Sequence, residues 1–210
     1  MGPVVAVEVQ AGRTRKSEMT RQRLLDSANR LFRANGYAAT TAAAIAEDAG
    51  VTERTFYRYF PAKADVLLTN WQRRRDVLHR VLVTSDAPDV IDVVRAAMHE
   101  FAEHVRIGID AGLDSMLHVF TDQDAASAVL QVLLAVEQDL AIEIARRAGR
   151  SSEDLAVRTA AYATVGVFRA SLRAVVEQGD PRYITAFVDQ GMDWLRPLYA
   201  SLDQTSFSAV

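Results

Sequence analysis

The sequence predicts an all-α fold, and three observations carry that prediction. Apolar residues recur at i, i+3 and i+4 through most of the chain, no run alternates over the length of a strand, and Gly, Asn or Pro stands wherever the helical pattern stops. The chain has 210 residues, half of them hydrophobic, so it can bury a real core; 10 Gly and 5 Pro are too few for a low-complexity chain.

Residues 1–17 lack helical periodicity and read as a flexible basic tail carrying Arg13, Arg15 and Lys16. Helix one is expected from Ser17, a suitable N-cap, with Leu24, Leu25, Ala28, Leu31 and Phe32 in register, up to the left-handed turn signal Asn35-Gly36. Thr40 is expected to cap a short second helix through Ala42, Ile45, Ala46 and Ala49 to the breaker Gly50. Thr52 should cap a third, with Phe56, Tyr59 and Phe60 on one face and Pro61 ending it. Longer helices follow at about 63–84, 89–107, 111–121, 123–148, 152–178 and 182–201, parted by Pro88, Gly108, Gly112, Gly149 and Gly179-Asp180-Pro181. We divide the chain into the tail, a small domain over 18–65 and a larger one over 66–205.

Composition removes several classes of function. With no cysteine there is no disulfide framework, thiolate metal site or thiol nucleophile. No stretch has the length and apolarity of a membrane span, and Glu8 interrupts the start before a secretory core builds up, so a cytoplasmic protein is expected. G-x-S-x-G, P-loop, G-x-G-x-x-G and H-E-x-x-H motifs are all missing, and neither an enzyme nor a cofactor is expected. Net charge is −3, but residues 1–65 hold ten Lys/Arg against seven Asp/Glu, or +3, and residues 66–210 hold fourteen against twenty, or −6. A basic front end therefore precedes an acidic body.

The segment TTAAAIAEDAGVTERTFYRYF, residues 40–60, has the order of a helix-turn-helix: a short helix, Gly50 for the turn, Val51 as an apolar plug, then a helix with a free outer face. Helix one completes a three-helix unit around Leu31, Phe32, Ile45, Val51, Phe56 and Phe60. On the outer face lie Glu53, Arg54, Tyr57 and Arg58, with Thr52 and Thr55 near the helix start. A helix fits the major groove of DNA, where Arg reads guanine, Glu accepts from cytosine and a Thr methyl meets thymine. Thr41 and Lys63, each at a helix start, suit phosphates. The plainer reading makes all of these a solvated surface.

The stretch RLLDSANRLFRANGYAATTAAAIAEDAGVTERTFYRYFPAKADVLL, residues 23–68, resembles the tetracycline-repressor-like (TetR) family of transcriptional regulators. The resemblance implies DNA contacts at Thr41, Thr55, Tyr57, Arg58, Tyr59 and Lys63. Ala43 departs from it, standing where an arginine is common, as does Ala62, where a serine commonly caps the next helix.

In the body, residues 152–178 are apolar or small nearly all round, and the last helix carries a second apolar face. We read the two as half of a four-helix dimer interface with Tyr162, Gly166, Phe187, Trp194, Leu195 and Leu198 in it, an arrangement the resemblance also implies; an intrachain core is the alternative. His99 and His104 are five residues apart and diverge by about 140° around a helix, so no metal site is expected. His104 and His118, with Trp71, Phe101, Met116, Phe120, Tyr162 and Arg169, are read as lining a largely apolar ligand pocket, ordinary core packing being the alternative. The expectation is a DNA-binding repressor, homodimeric on a palindromic operator and released by a small, largely apolar molecule. The rivals are a ligand-independent architectural DNA binder and a helical enzyme or carrier.

Overall fold

A computed structural model describes residues 4–110 and 123–203, and every regular element among them is helical. In order these are α1 (Val4–Asn35), α2 (Ala42–Asp48), α3 (Glu53–Tyr59), α4 (Ala64–Thr84), α5 (Val90–Asp110), α6 (Gln123–Ala148), α7 (Leu155–Gln178) and α8 (Ile184–Ala200). The helix expected over 111–121 lies outside the described residues. The chain divides into two compact units, one with residues up to Leu67 and residues 123–126, the other with residues 68–110 and 127–203.

Three helix starts differ from expectation. α1 begins at Val4, not at Ser17. Extending an existing helix needs no new nucleus, so the segment joins α1 although Val4, Val5, Val7, Val9 and Gly12 are weak helix formers and no regular apolar stripe advertises it. Thr41, not Thr40, caps α2, its side chain accepting from Ala44 N at 3.1 Å. Thr40 is buried and its hydroxyl donates back to Gly36 O at 2.8 Å, closing the end of α1. α7 starts after Asp154, whose carboxylate accepts from Ala156 N at 2.8 Å. Gly108, expected to end a helix, lies inside α5.

In the first unit Leu24, Leu25, Ala28 and Phe32 of α1 are buried together with Tyr37, Ile45, Ala46, Phe56 and Phe60. α2 and α3 have seven residues each and could not hold their shape alone. Burial of Phe56 and Phe60, each contributing about 1.5–3 kcal/mol, anchors α3.

The second unit is centred on three buried rings from three helices, Trp71 of α4, Phe101 of α5 and Phe168 of α7, with centroids 4.9–6.3 Å apart. Arg75 of α4 pairs bidentately with Asp139 of α6 at 2.7 and 2.9 Å. Arg147 of α6 donates to Ser85 O and Ala87 O in the α4–α5 connection and is itself held by the buried Glu143. α7 and α8 approach closely because position 191 is glycine: a Cβ there would come within 2.3 Å of Val167 Cγ1. At their far end the buried Tyr199 hydroxyl pairs with Thr164 Oγ1 at 2.7 Å.

Candidate functional site

The turn between α2 and α3 is a Schellman closure. Gly50 adopts φ 67°, Gly50 N–H donates to Glu47 O, and Val51 N–H donates to Ala46 O at 2.9 Å. Only a residue tolerant of the left-handed region closes α2 this tightly, and it hands the chain directly to Thr52. The Thr52 hydroxyl accepts from Thr55 N at 3.2 Å and lies 3.0 Å from Thr55 Oγ1, so both threonines are engaged in starting α3.

With Phe56 and Phe60 turned inward, α3 exposes Glu53, Arg54, Tyr57 and Arg58 in two adjacent rows. Tyr57 keeps 48% of its surface in solvent and packs edge-on against Phe56, with centroids 5.4 Å apart. Arg58 lies over the Tyr59 ring at 5.1 Å. Tyr59, half-buried, accepts at its hydroxyl from Ser17 of α1 at 3.2 Å, which holds its phenol below the usual range. The structure thus keeps Glu53, Arg54, Tyr57 and Arg58 on one open face and gives Tyr59 to the junction with α1. Thr41 is exposed at the start of α2, and Ala43 lies exposed beside it.

Lys63 differs in surroundings from the phosphate ligand anticipated for it. Its Nζ donates to Tyr37 O at 2.7 Å and Thr40 O at 3.0 Å and lies 3.9 Å from the Tyr37 ring centroid. α4 is nevertheless well started despite Ala62, because the Asp65 carboxylate accepts from Ala62 N at 2.6 Å, forming half of a capping box.

In the second unit the ligand-pocket residues fall apart into separate places. Trp71 and Phe101 meet in the core, joined by Phe168 of α7. The His104 ring is directed outward, with Nδ1 on Glu100 O at 2.9 Å; only its carbonyl faces inward, accepting from Arg74 Nε at 3.2 Å. Tyr162 and Arg169 are exposed on α7, about 100–120° around the helix axis from the buried Phe168. Met116, His118 and Phe120 lie outside the described residues.

Arg74 is the residue that sequence reasoning missed. It is only 7% exposed, and its Cζ lies 5.3 Å from the Trp71 ring centroid. Burial alone pushes its guanidinium down to about 10. The signal was there to read, since Leu67, Trp71, Arg74, Leu78 and Leu82 fall on one face of α4 with an arginine in the apolar row.

A groove of about 490 Å³ runs along α7 and α8, lined by Gly166, Val167, Ala170, Phe187, Gly191 and Trp194 among others. Trp194 is 73% exposed there, and Tyr162 is exposed on the same α7. Leu195 and Leu198 are half-buried on α8.

The family profile described as "Bacterial regulatory proteins, tetR family" matches residues 24–69, and that described as "MftR C-terminal domain" matches residues 88–200. The HTH-type transcriptional regulator TtgR of Pseudomonas putida is 31% identical over 201 residues, covering 86% of this chain and 93% of that one. TcmR of Streptomyces glaucescens, also an HTH-type transcriptional regulator, is 29% identical over 195 residues, 88% of this chain and 86% of that one. Among solved structures, Thermus thermophilus FadR, a TetR-family repressor in complex with lauroyl-CoA, superposes with a TM-score of 0.60 at 23% identity over 90% of this chain and 97% of that one.

Proposed function

Because this chain belongs to the TetR family of helix-turn-helix transcriptional regulators, we propose that it is a repressor that binds a palindromic operator as a homodimer and lets go when a small molecule enters its second unit. The observation that carries the reading is α3, anchored by Phe56 and Phe60 and exposing Glu53, Arg54, Tyr57 and Arg58 on one open face that fits the major groove. The +3 charge of residues 1–65 favours the phosphate backbone, while the −6 body is repelled by it.

The α7–α8 groove supports dimerisation: small residues along it admit close approach of a second helix pair, and Trp194 is a large exposed ring with apolar surface to bury. Two-fold pairing matches two half-sites roughly 34–36 Å apart, and a change of a few ångströms in that spacing weakens binding. α4 begins one residue after Lys63 and bears Trp71 and Arg74, so a molecule settling on those side chains acts on the helix that follows the DNA-binding segment. The lauroyl-CoA held by the Thermus structural neighbour, which carries a long hydrocarbon chain on a polar coenzyme, supports a ligand with an apolar part. No described helix is long and apolar enough to cross a membrane, in keeping with a regulator working on cytoplasmic DNA.

The test is a gel shift with the full chain on DNA flanking its gene. A shift on that DNA and not on a scrambled fragment is expected, abolished by replacing Tyr57 and Arg58 together. Equal shifts on both fragments would remove the operator-binding reading.

A further inference from the structure

We propose that the cleft between α6 and α7 binds a small organic cation, an alkyl- or arylammonium ion whose charged head meets the Glu137 carboxylate and whose apolar body lies against Leu134, Ile142 and the Tyr162 ring. The cleft has a volume of about 300 Å³, at the small end of ligand pockets. None of the residues lining it lines the α7–α8 groove, so it is a place apart from the surface assigned to dimerisation. Leu134, Ile142 and Tyr162 are 52–55% exposed. A single exposed aliphatic side chain is ordinary, but three large apolar groups around one concavity leave surface that a ligand's hydrocarbon would cover.

Glu137 lines the same cleft and is half-buried, and among the described residues nothing donates a hydrogen bond to it. Burial pushes its carboxyl above the usual range, and Arg169, which does not line the cleft, opposes this only through space. The other charges in the lining are already matched. Glu153 and Arg158 pair with each other at 2.8 Å, so among the described residues of the cleft Glu137 is the carboxylate left without a donor. A carboxylate that has lost part of its hydration and gained no donor is stabilised by a cation bringing both charge and N–H groups. An ammonium head supplies three donors in a compact volume, and the π face of Tyr162 attracts the same charge. An anion would be repelled by Glu137, and a neutral molecule would leave its charge unmatched.

Titration of the full-length protein with phenethylammonium and hexylammonium, followed by NMR of the ligand, tests this. The neutral counterparts are 2-phenylethanol and hexan-1-ol, and the anions are 3-phenylpropanoate and heptanoate. The ammonium ions should bind about tenfold more tightly than the alcohols, and the anions more weakly still. E137Q should erase the preference for cations, and Y162L should weaken both ammonium ions several-fold. E177Q, which removes an exposed carboxylate of α7 outside the cleft, should leave the preference unchanged. The ammonium-to-alcohol ratio on the unaltered protein needs no variant, and binding is read without DNA, so the result is independent of the operator. Equal binding of the three series, tighter binding of the anions, a cation preference that survives at E137Q, or one lost equally at E177Q overturns the proposal.

Discussion

Lys63 donates its Nζ to the carbonyl oxygen of Tyr37 at 2.7 Å while lying 3.9 Å from the centroid of the same residue's ring. With Thr40 O as a further acceptor, the ammonium ties the start of α4 to the connection between α1 and α2. Charged hydrogen bonds of this kind contribute about 1.5–3 kcal/mol each. Lys63→Met should therefore lower the melting temperature of the protein and change the salt slope of DNA binding by less than one unit. Calorimetry and a salt series check it. An unchanged melting temperature with a slope reduced by about one would instead make Lys63 a phosphate ligand.

Arg58 is exposed on the outer face of α3, over the Tyr59 ring. Arg58→Ala should cost about 1–3 kcal/mol on the operator and much less on scrambled DNA, blunting discrimination at one or two base positions. Equal losses on the two DNAs would make Arg58 a backbone clamp and pass the readout to Glu53, Arg54 or Tyr57.

Two glycines on neighbouring helices should respond in opposite ways. A Cβ at Gly166 meets nothing within 4 Å, so Gly166→Arg should leave the folded monomer intact yet yield monomers in sedimentation and weaken operator binding. Gly191 faces Val167, and Gly191→Ala should destabilise the fold by about 1–3 kcal/mol, with Val167→Ala restoring part of the loss in the double variant. A Gly166→Arg protein that remains dimeric would move the interface off the α7–α8 groove.

Glu143 is buried, and hydrogen bonds from Arg146 and then Arg147 hold its carboxyl below the usual carboxylate range. Its folded value lies below its unfolded one, so its contribution is fully present above the unfolded value near 4.5 and is lost as pH falls through the folded one. Glu143→Gln should cost about 1–3 kcal/mol at neutral pH, and denaturant unfolding should show the gap to wild type closing as pH falls below the unfolded value near 4.5. A gap independent of pH would mean that packing, not charge, sets the effect.

By itself the sequence determined the class of fold, the order of the helices and the open face of α3, because these are local properties. Periodicity, capping threonines and Gly50 act within a few residues of one another, and a helix with Phe56 and Phe60 on one side has little choice about what it leaves on the other. Where α1 begins was not legible, since residues 4–17 include weak helix formers such as Val4, Val5, Val7, Val9 and Gly12 and carry no regular apolar stripe, and they extend a helix already nucleated after them. The partners of long polar side chains were decided by tertiary structure alone. Lys63 finds acceptors 23 and 26 residues away, and Arg74 lies in an apolar row against a carbonyl 30 residues on. A side chain reaching that far meets whatever packing brings to it. Thus the sequence could name Trp71 and Phe101 as facing inward, but only the crossing of α4, α5 and α7 joined Phe168 to them, turned Tyr162 and Arg169 outward and enclosed a cation among aromatic rings.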